Sequence, residues 1–320
     1  MSDSWQPAAS LVVLKQRASL WAKVREFMAG RGILEVETPV LSHAGTTDPN
    51  LDSFTTTFKS PVSTIPESLY LHTSPEFGMK RLLAAGSGSI YQICHVFRNE
   101  ELGRHHQPEF TMLEWYRIHF DHHKLMDELD DLLLLIGLSS PSVRHSYAFV
   151  FEKATGIDPH RASLTQLQDM AIKLGLQGKD HSRSILLDFI FSARVMPGLG
   201  QQQPELIYDF PVCQAALARI RTDDPPVAER FELFIKGIEI ANGFHELTDA
   251  NEQQERFEAD NRLRMAMNKP PVCMDKNLLA ALQQGLPACA GVALGMDRLL
   301  MVIVGHDTLD QVVNFTFNQA

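Results

Sequence analysis

Tyr91–Tyr116 reads YQICHVFRNEELGRHHQPEFTMLEWY. Gln92–Phe97 mixes apolar and β-branched residues, the composition of a buried strand. Asn99–Pro108 is polar and carries the breakers Gly103 and Pro108. Glu109–Tyr116 restores the strand pattern, so the stretch predicts two strands joined by a charged loop. Side chains alternate along a strand, which puts Phe110, Met112, Glu114 and Tyr116 on one face and Arg98 and Glu100 on another. At about 3.4 Å per residue, Phe110 and Glu114 stand roughly 14 Å apart. That is about the span of a nucleotide joined to a small amino acid. An aromatic platform at one end, a carboxylate and a phenol at the other, and an arginine nearby are the parts of a site for such a molecule. A half-buried hairpin with a solvated loop has the same alternation, and glutamate is rarely buried without a partner. The stretch alone leaves both readings open.

The surrounding chain narrows the choice. Its 320 residues fit one large domain or two small ones. A hydrophobic content of 44% with 21% charged residues is ordinary for a globular protein with a sizeable core. The net charge of −10, from 29 basic and 39 acidic residues, speaks against a broad electrostatic nucleic-acid surface. Cys94, Cys213, Cys273 and Cys289 show no C-x-x-C pairing or metal-site spacing, and read as reduced thiols of a cytosolic protein. His122, His123, His160 and His181 are scattered and predict no metal site. The N-terminus MSDSWQPAAS lacks a basic region leading into an apolar run, so no leader peptide is expected. No apolar run approaches the ~18 residues of a membrane span.

In chain order, Leu14, Ala18, Trp21, Val24 and Met28 predict a helix over residues 11–29, closed by Gly30 or Gly32. Glu35–Thr38 reads as a strand stopped by Pro39. Helix and strand together offer a dimer surface, with core packing as the alternative. Strands follow at Ser53–Phe58 and Ser68–His72, then a short helix, Phe77–Ala85. After the opening stretch comes a helix, His119–Leu138. Residues 139–205 are less regular, with helical pieces at Leu164–Leu174 and Ile185–Arg194, and read as an insertion. In RFELFIKGIEIANGFHELTD (230–249), Lys236-Gly237 predicts a two-residue hairpin turn. Ile235 then faces Ile238 and Phe234 faces Glu239, which makes Glu232 and Glu239 diagonal neighbours. Two such carboxylates repel unless a cation lies between them, and Mg²⁺ on ATP phosphates is a natural candidate. Solvated glutamates on an exposed face are the alternative. Asn242, Phe244 and Glu246 alternate on one face. Glu239 and Asn242 are an odd number apart, so aiming both at one site needs a bulge, expected at Gly243. Helices over Asp249–Met267 and Leu278–Gln284 lead to ACAGVALGMDRLLMVIVG, a glycine-bearing strand, a turn at Gly295 and a helix from Met296. That helix start favours anions, with Arg298 in its first turn.

Together these stretches resemble a class II aminoacyl-tRNA synthetase catalytic domain. The signatures are the first helix with GILEVETPVL, FRNE (Phe97–Glu100) with HHQPEF (His105–Phe110), and GVALGMDRLL (Gly291–Leu300), in order over nearly the whole chain. LHTSPEFGMKRLL, QPEFTMLEWY and RFELFIKGIEIANGFHELTDA are similar to lysyl-tRNA synthetase. The resemblance implies an α+β fold: one antiparallel sheet flanked by helices, with residues 139–205 inserted between the second and third motifs. The family's N-terminal anticodon-binding domain is not expected, since about ten residues precede the first helix. Ala293 stands where lysyl synthetases usually have Gly, and Ser74 where they usually have Ala. This pattern resembles the elongation factor P–lysine ligase family, truncated paralogues that join (R)-β-lysine to a lysine side chain of that factor. Gln107 replaces the usual Asn, and His105 the usual Arg.

The resemblance implies two steps, adenylate formation from ATP and transfer to an amine. It places Arg98 and Arg298 in catalysis, with Arg98 clamping the α-phosphate and the substrate carboxylate. Adenine lies between Phe110 and Arg298. Asn99, Glu100 and Gln107 read the adenine edge or position the loop, and His106 approaches the γ-phosphate. Glu232 and Glu239 hold Mg²⁺, the Ile240 backbone lies near the nucleotide, and Gly295 leaves room for ATP. The amino-acid pocket takes Ser74, Pro75, Glu76, Glu114, Tyr116, Asn242, Phe244, Glu246 and Ala293. Its three carboxylates suit a substrate with two amines, which supplies the charge that unpaired carboxylates would lack. Elongation factor P is the implied acceptor, tRNA is not expected, and a cytoplasmic homodimer is. A minimal lysyl-tRNA synthetase working with a separate tRNA-binding partner, and an inactive synthetase-like regulator, are the competing readings. The intact Arg98, Glu100, Glu232, Glu239 and Arg298 argue against the second of these.

Overall fold

A computed structural model describes residues 5–62, 65–178 and 181–320. The first four residues of the N-terminal stretch read for a leader lie outside them. The chain forms two compact units. Unit 1 comprises Met1–His119, Thr248–Cys289 and Ala293–Ala320; unit 2 comprises Phe120–Leu247 and Ala290–Val292.

Unit 1 begins with α1 (Leu11–Gly30), capped by Ser10, whose hydroxyl accepts from the Val13 amide at 3.3 Å. It ends where Gly32 adopts φ +66°. Its buried stripe is Val13, Leu20, Val24, Phe27 and Met28. Trp21 is not on that stripe; it is half-buried beneath the Arg17 guanidinium, 4.2 Å from the ring centroid. Next come β1 (Leu34–Glu35), β2 (Leu41–Ser42), β3 (Thr55–Phe58) and β4 (Glu67–Leu71). The strand expected over Glu35–Thr38 is cut short. Only Leu34 and Glu35 pair, and Pro39, with no amide hydrogen, cannot extend the ladder. Then α2 (Glu76–Ala84) leads to β5 (Ile90–Phe97) and β6 (Glu109–Ile118). These two strands pair antiparallel without a break, from Ile90 opposite Tyr116 to Phe97 opposite Glu109. The opening stretch is therefore a hairpin, as its alternation predicts.

Unit 2 opens on α3 (His122–Ile136), capped by Asp121 at its start and closed by left-handed Gly137. It continues through β7 (Val143–Ser146), α4 (Tyr147–Thr155), α5 (Leu164–Lys173) and α6 (Arg183–Ile190). A π-helical turn, Phe191–Val195, follows α6. Then come β8 (Glu205–Pro211), β9 (Ile220–Arg221), β10 (Val227–Ile235) and β11 (Ile238–His245). Strand β7 is missed by the sequence reading because VRHS has no apolar run; it pairs in parallel with β8. The core is aromatic: Tyr147 stacks on Phe151 and Phe191, with ring centroids 5.6 and 4.9 Å away.

Lys236 and Gly237 both take positive φ, +53° and +72°, as a primed two-residue turn requires. Ile235 pairs with Ile238 and Phe234 with Glu239, as the spacing predicts. The bulge is real but falls three residues before Gly243. Leu233 pairs with Ala241 while Phe234 pairs with Glu239, leaving Ile240 as the extra residue. Gly243 serves a different end: a Cβ there would lie 2.4 Å from the Phe231 ring.

The chain then returns to unit 1 with α7 (Ala250–Ala266), α8 (Lys276–Gly285), β12 (Cys289–Gly295) and α9 (Met296–Val304). Within unit 1 the strand order is β1-β5-β6-β12, beside a smaller β2-β4-β3 sheet. Within unit 2 it runs from the β12 residues Ala290–Val292 through β11-β10-β8-β7, with β9 beside β10.

Candidate active site

In unit 1, Ser74, Pro75 and Glu76 form the entry to α2, with Pro75 at its N-cap position. Ser74 Oγ donates to Glu114 Oε2 at 2.7 Å and accepts from the Glu76 amide at 3.0 Å. Tyr116 Oη donates to Glu114 Oε1 at 2.6 Å. Glu114 is only 2% exposed. Burial, then the charge of Glu76, pushes its carboxyl up to about 7, against the two hydroxyl bonds and Lys80. Lys80 is 1% exposed and its Nζ donates to Glu76 Oε1 at 2.7 Å. The picture of three unpaired carboxylates is thus corrected, because Glu76 has a lysine of its own. The i,i+4 spacing of Glu76 and Lys80 on a short helix was the signal available in the sequence.

The nucleotide-side residues of unit 1 lie around the β5–β6 loop. Arg98 lies one residue past β5, with its guanidinium carbon 5.1 Å from the Phe110 ring centroid and 3.8 Å between Nη1 and Glu101 Oε1. The alternation that set Arg98 and Phe110 on different faces stops at Phe97, and Glu100 turns the chain with φ +66°. Arg98 Nε is buried and makes no hydrogen bond. The Asn99 amide donates to Asp52 O at 2.7 Å, and Gly103 and His106 exchange backbone bonds at 3.0 and 3.2 Å. Gln107 donates to Asp310 Oδ1 at 2.8 Å and accepts from the Phe317 amide at 3.2 Å. Its amide therefore anchors the loop. Arg298 Nε donates to the His105 carbonyl at 3.0 Å. Gly295 is the N-cap residue of α9, and Ala293 is half-buried on β12.

Asp297 is a residue the sequence reading passed over. It is 2% exposed, accepts the Thr111 amide at 2.7 Å, and pairs with Arg17, which also donates to Thr111 Oγ1 at 2.8 Å. Thr111 follows Phe110 and Asp297 precedes Arg298, so this one carboxylate fixes the helix bearing Arg298 to the strand bearing Phe110. Asp297→Ala strands a half-buried guanidinium and a buried amide. It is expected to cost about 3–5 kcal/mol of stability, measured by denaturant unfolding, with a smaller loss for Asp297→Asn.

In unit 2, Arg230 organises the remaining candidates and was also missed. It pairs with Glu232, donates to Asn242 Oδ1 at 3.2 Å and to the Gln214 carbonyl at 2.7 Å. Its guanidinium lies 4.6 Å from the Phe210 ring centroid and 5.9 Å from that of Phe244. The signal in the sequence was its place in RFE, two residues before Glu232 on the same strand face. A cavity of about 210 Å³ is lined by Glu232, Glu239, Asp188, Arg230 and Gln214, with Phe191, Phe210 and Phe234 among its walls. Burial raises the Glu232 carboxyl; Arg230 opposes this, while the charges of Glu239 and Asp188 add to it. Closely placed carboxylates on one cavity are an oxygen-only donor set that fits Mg²⁺. Ile240 is the bulged residue between Glu239 and Asn242. Glu246, 2% exposed, forms a backbone bridge with Ala218.

Residues 6–319 match the family model described as tRNA synthetases class II (D, K and N). The chain belongs to this family. The match spans all three signature stretches of the class II synthetase, including the hairpin of β5 and β6 and the turn at Gly295. Relatives similar to this chain carry the name elongation factor P–(R)-β-lysine ligase. That of Pasteurella multocida (strain Pm70) is 52% identical over 319 residues, 99% of each chain. That of Vibrio vulnificus (strain YJ016) is 52% identical over 320 residues, again 99% of each chain. That of Salmonella paratyphi B (strain ATCC BAA-1250 / SPB7) is 52% identical over 320 residues, 99% of this chain and 98% of its own.

Proposed function

We propose that the chain is an ATP-dependent ligase that activates (R)-β-lysine, or lysine, as an aminoacyl-adenylate and transfers it to a lysine side chain of elongation factor P. The observation that carries this reading is the end-to-end 52% identity to ligases of that name. In the first step a carboxylate oxygen attacks the α-phosphorus and pyrophosphate leaves. In the second, the acceptor amine attacks the acyl carbon, AMP leaves and the amine gives up a proton. Arg98 holds the α-phosphate and the substrate carboxylate, since guanidinium matches paired oxygens. Phe110 and Arg298 take the two faces of adenine, Asn99 and Glu100 position its edge, His106 meets the γ-phosphate, and Gln107 holds the loop. The Ile240 backbone lies near the nucleotide, and Gly295 leaves room for it. Glu232 and Glu239 hold Mg²⁺, which neutralises phosphate charge when bound. Glu114 and Glu246 take the substrate ammonium groups, with Ser74, Pro75, Glu76, Tyr116, Asn242, Phe244 and Ala293 shaping the pocket.

The test is pyrophosphate exchange with lysine and with (R)-β-lysine, followed by an offer of elongation factor P or tRNA. Exchange with transfer to the protein factor is expected; charging of tRNA alone would overturn the reading. Glu246→Gln should lose about 100-fold or more in activation of either amino acid while ATP still binds, and wild-type activation kinetics would remove Glu246 from the pocket.

We also propose a cytoplasmic homodimer. Leu11, Val12, Leu34 and Leu41 on α1, β1 and β2 are 72, 67, 57 and 49% exposed, apolar side chains that a second copy could cover. Sedimentation velocity should show a dimer that Leu34→Glu shifts towards monomer. No helix among the described residues is long and apolar enough to cross a membrane.

A further inference from the structure

The histidines that look scattered in the sequence do not all stay scattered in the fold. His122 at the start of α3, Glu229 on β10 and His245 at the end of β11 each bring one donor atom within 4.8 Å of the others. All three belong to unit 2. Glu229 immediately precedes Arg230, and His245 immediately follows Phe244. With strand alternation they point away from the face on which Arg230 meets Glu232, Asn242 and Phe244. The cluster is therefore separate from the candidate active site.

Two observations set it apart from a chance grouping. His122 is 1% exposed, and neither of its ring nitrogens makes a hydrogen bond. A buried imidazole with no bonded partner is costly, and this one is directed at a carboxylate and a second imidazole. Asp209 Oδ1 also stands 3.5 Å from His122 Nε2, but its carboxylate is held by Arg221 at 2.7 and 3.2 Å and lies outside the group of mutually close donors. Two imidazoles and one carboxylate are a donor set for a borderline transition metal rather than for Mg²⁺ or Ca²⁺.

We infer that His122, Glu229 and His245, with a solvent oxygen in the fourth position, form a Zn²⁺ site. Tetrahedral Zn²⁺ with bonds of about 2.0–2.2 Å holds its donors roughly 3.3–3.5 Å apart. Reaching that spacing requires only small side-chain movements. Glu229 Oε2 and His245 Nδ1, now 2.7 Å apart, open slightly, and His122 closes in. Arg221 and Arg219 flank Glu229 at 3.7 and 3.9 Å. Arg221 is already shared with Asp209 and Asp223, at 2.7 and 2.6 Å, and Arg219 is largely exposed, so their charge is compensated or screened. The metal ties the first turn of α3 to β10 and β11, the strands that carry Glu232, Glu239, Asn242, Phe244 and Glu246.

The experiment uses the full chain, stripped with chelator and dialysed against Zn²⁺ alone, and against Co²⁺ as a spectroscopic stand-in. One Zn²⁺ per chain is expected, with Co²⁺ showing intense tetrahedral absorption and no thiolate charge-transfer band. His245→Gln and His122→Asn should each weaken Zn²⁺ binding at least 100-fold, and Zn²⁺ should raise Tm for the wild type only. No stoichiometric Zn²⁺, a weak octahedral Co²⁺ spectrum, or undiminished binding in His245→Gln would each overturn the site. The Co²⁺ spectrum of the unmodified chain decides the matter even if a histidine variant fails to fold.

Discussion

Arg98→Ala is expected to slow adenylate formation by about 10²–10³-fold, the usual loss when one preorganised donor to developing charge is removed. The size of the effect follows from how Arg98 is held. Its guanidinium carbon lies 5.1 Å from the centre of the Phe110 ring, and its Nε is buried without a hydrogen bond. The ring fixes the plane, so little motion is needed before the fork meets a phosphate or carboxylate. Arg98→Lys keeps the charge but loses the planar fork, and should recover only part of the rate. Global stability should change little, because the side chain lacks a full set of partners in the free protein. Single-turnover adenylate formation, paired with denaturant unfolding of each variant, checks both halves. A variant that unfolds early yet keeps its rate would make Arg98 a structural residue.

Glu114→Gln should raise KM for lysine and (R)-β-lysine by about 100-fold or more, since a buried ammonium would lose its counter-charge, and leave ATP binding intact. The same change should stabilise the free protein, in a pH-dependent way. Burial and the neighbouring Glu76 hold the Glu114 carboxyl up to about 7. A carboxyl raised on folding costs nothing below its ordinary value near ~4.3, and costs more as pH climbs towards the folded value. The Tm gain of Glu114→Gln over wild type should therefore be small at pH 5 and larger at pH 8. Amino-acid binding near pH 6.5 should release a proton from the wild type and none from the variant. Calorimetry in two buffers of different ionisation enthalpy measures that proton. Equal proton release in both proteins would remove Glu114 from the ammonium site.

The hairpin of Tyr91–Tyr116 was legible because alternation and breaker residues are local signals; its register, from Ile90 opposite Tyr116 to Phe97 opposite Glu109, is set by the pairing itself. The Lys236-Gly237 turn was legible for the same reason, since only a primed turn suits that dipeptide between apolar strands. What the sequence hid was compensation. Lys80 answers Glu76, Asp297 answers Arg17 and Thr111, and Arg230 answers Glu232 and Asn242. Each partner looks like an ordinary helix or strand residue until the chain folds back on itself. Strand β7 escaped for the opposite reason: its VRHS sequence has no pattern, and its place is assigned by pairing with β8.

The extra residue at Ile240 limits how this sequence can change. Glu239 and Asn242 share a strand face only because one residue between them has no opposite number on β10. Losing that residue, or gaining another, would turn one of them to the wrong side of the strand. Substitution can retune what sits at positions 239, 242 or 244, but insertion and deletion are closed to this segment. Descendants of this chain with new amino-acid preferences should therefore differ from it here in residue identity and never in length.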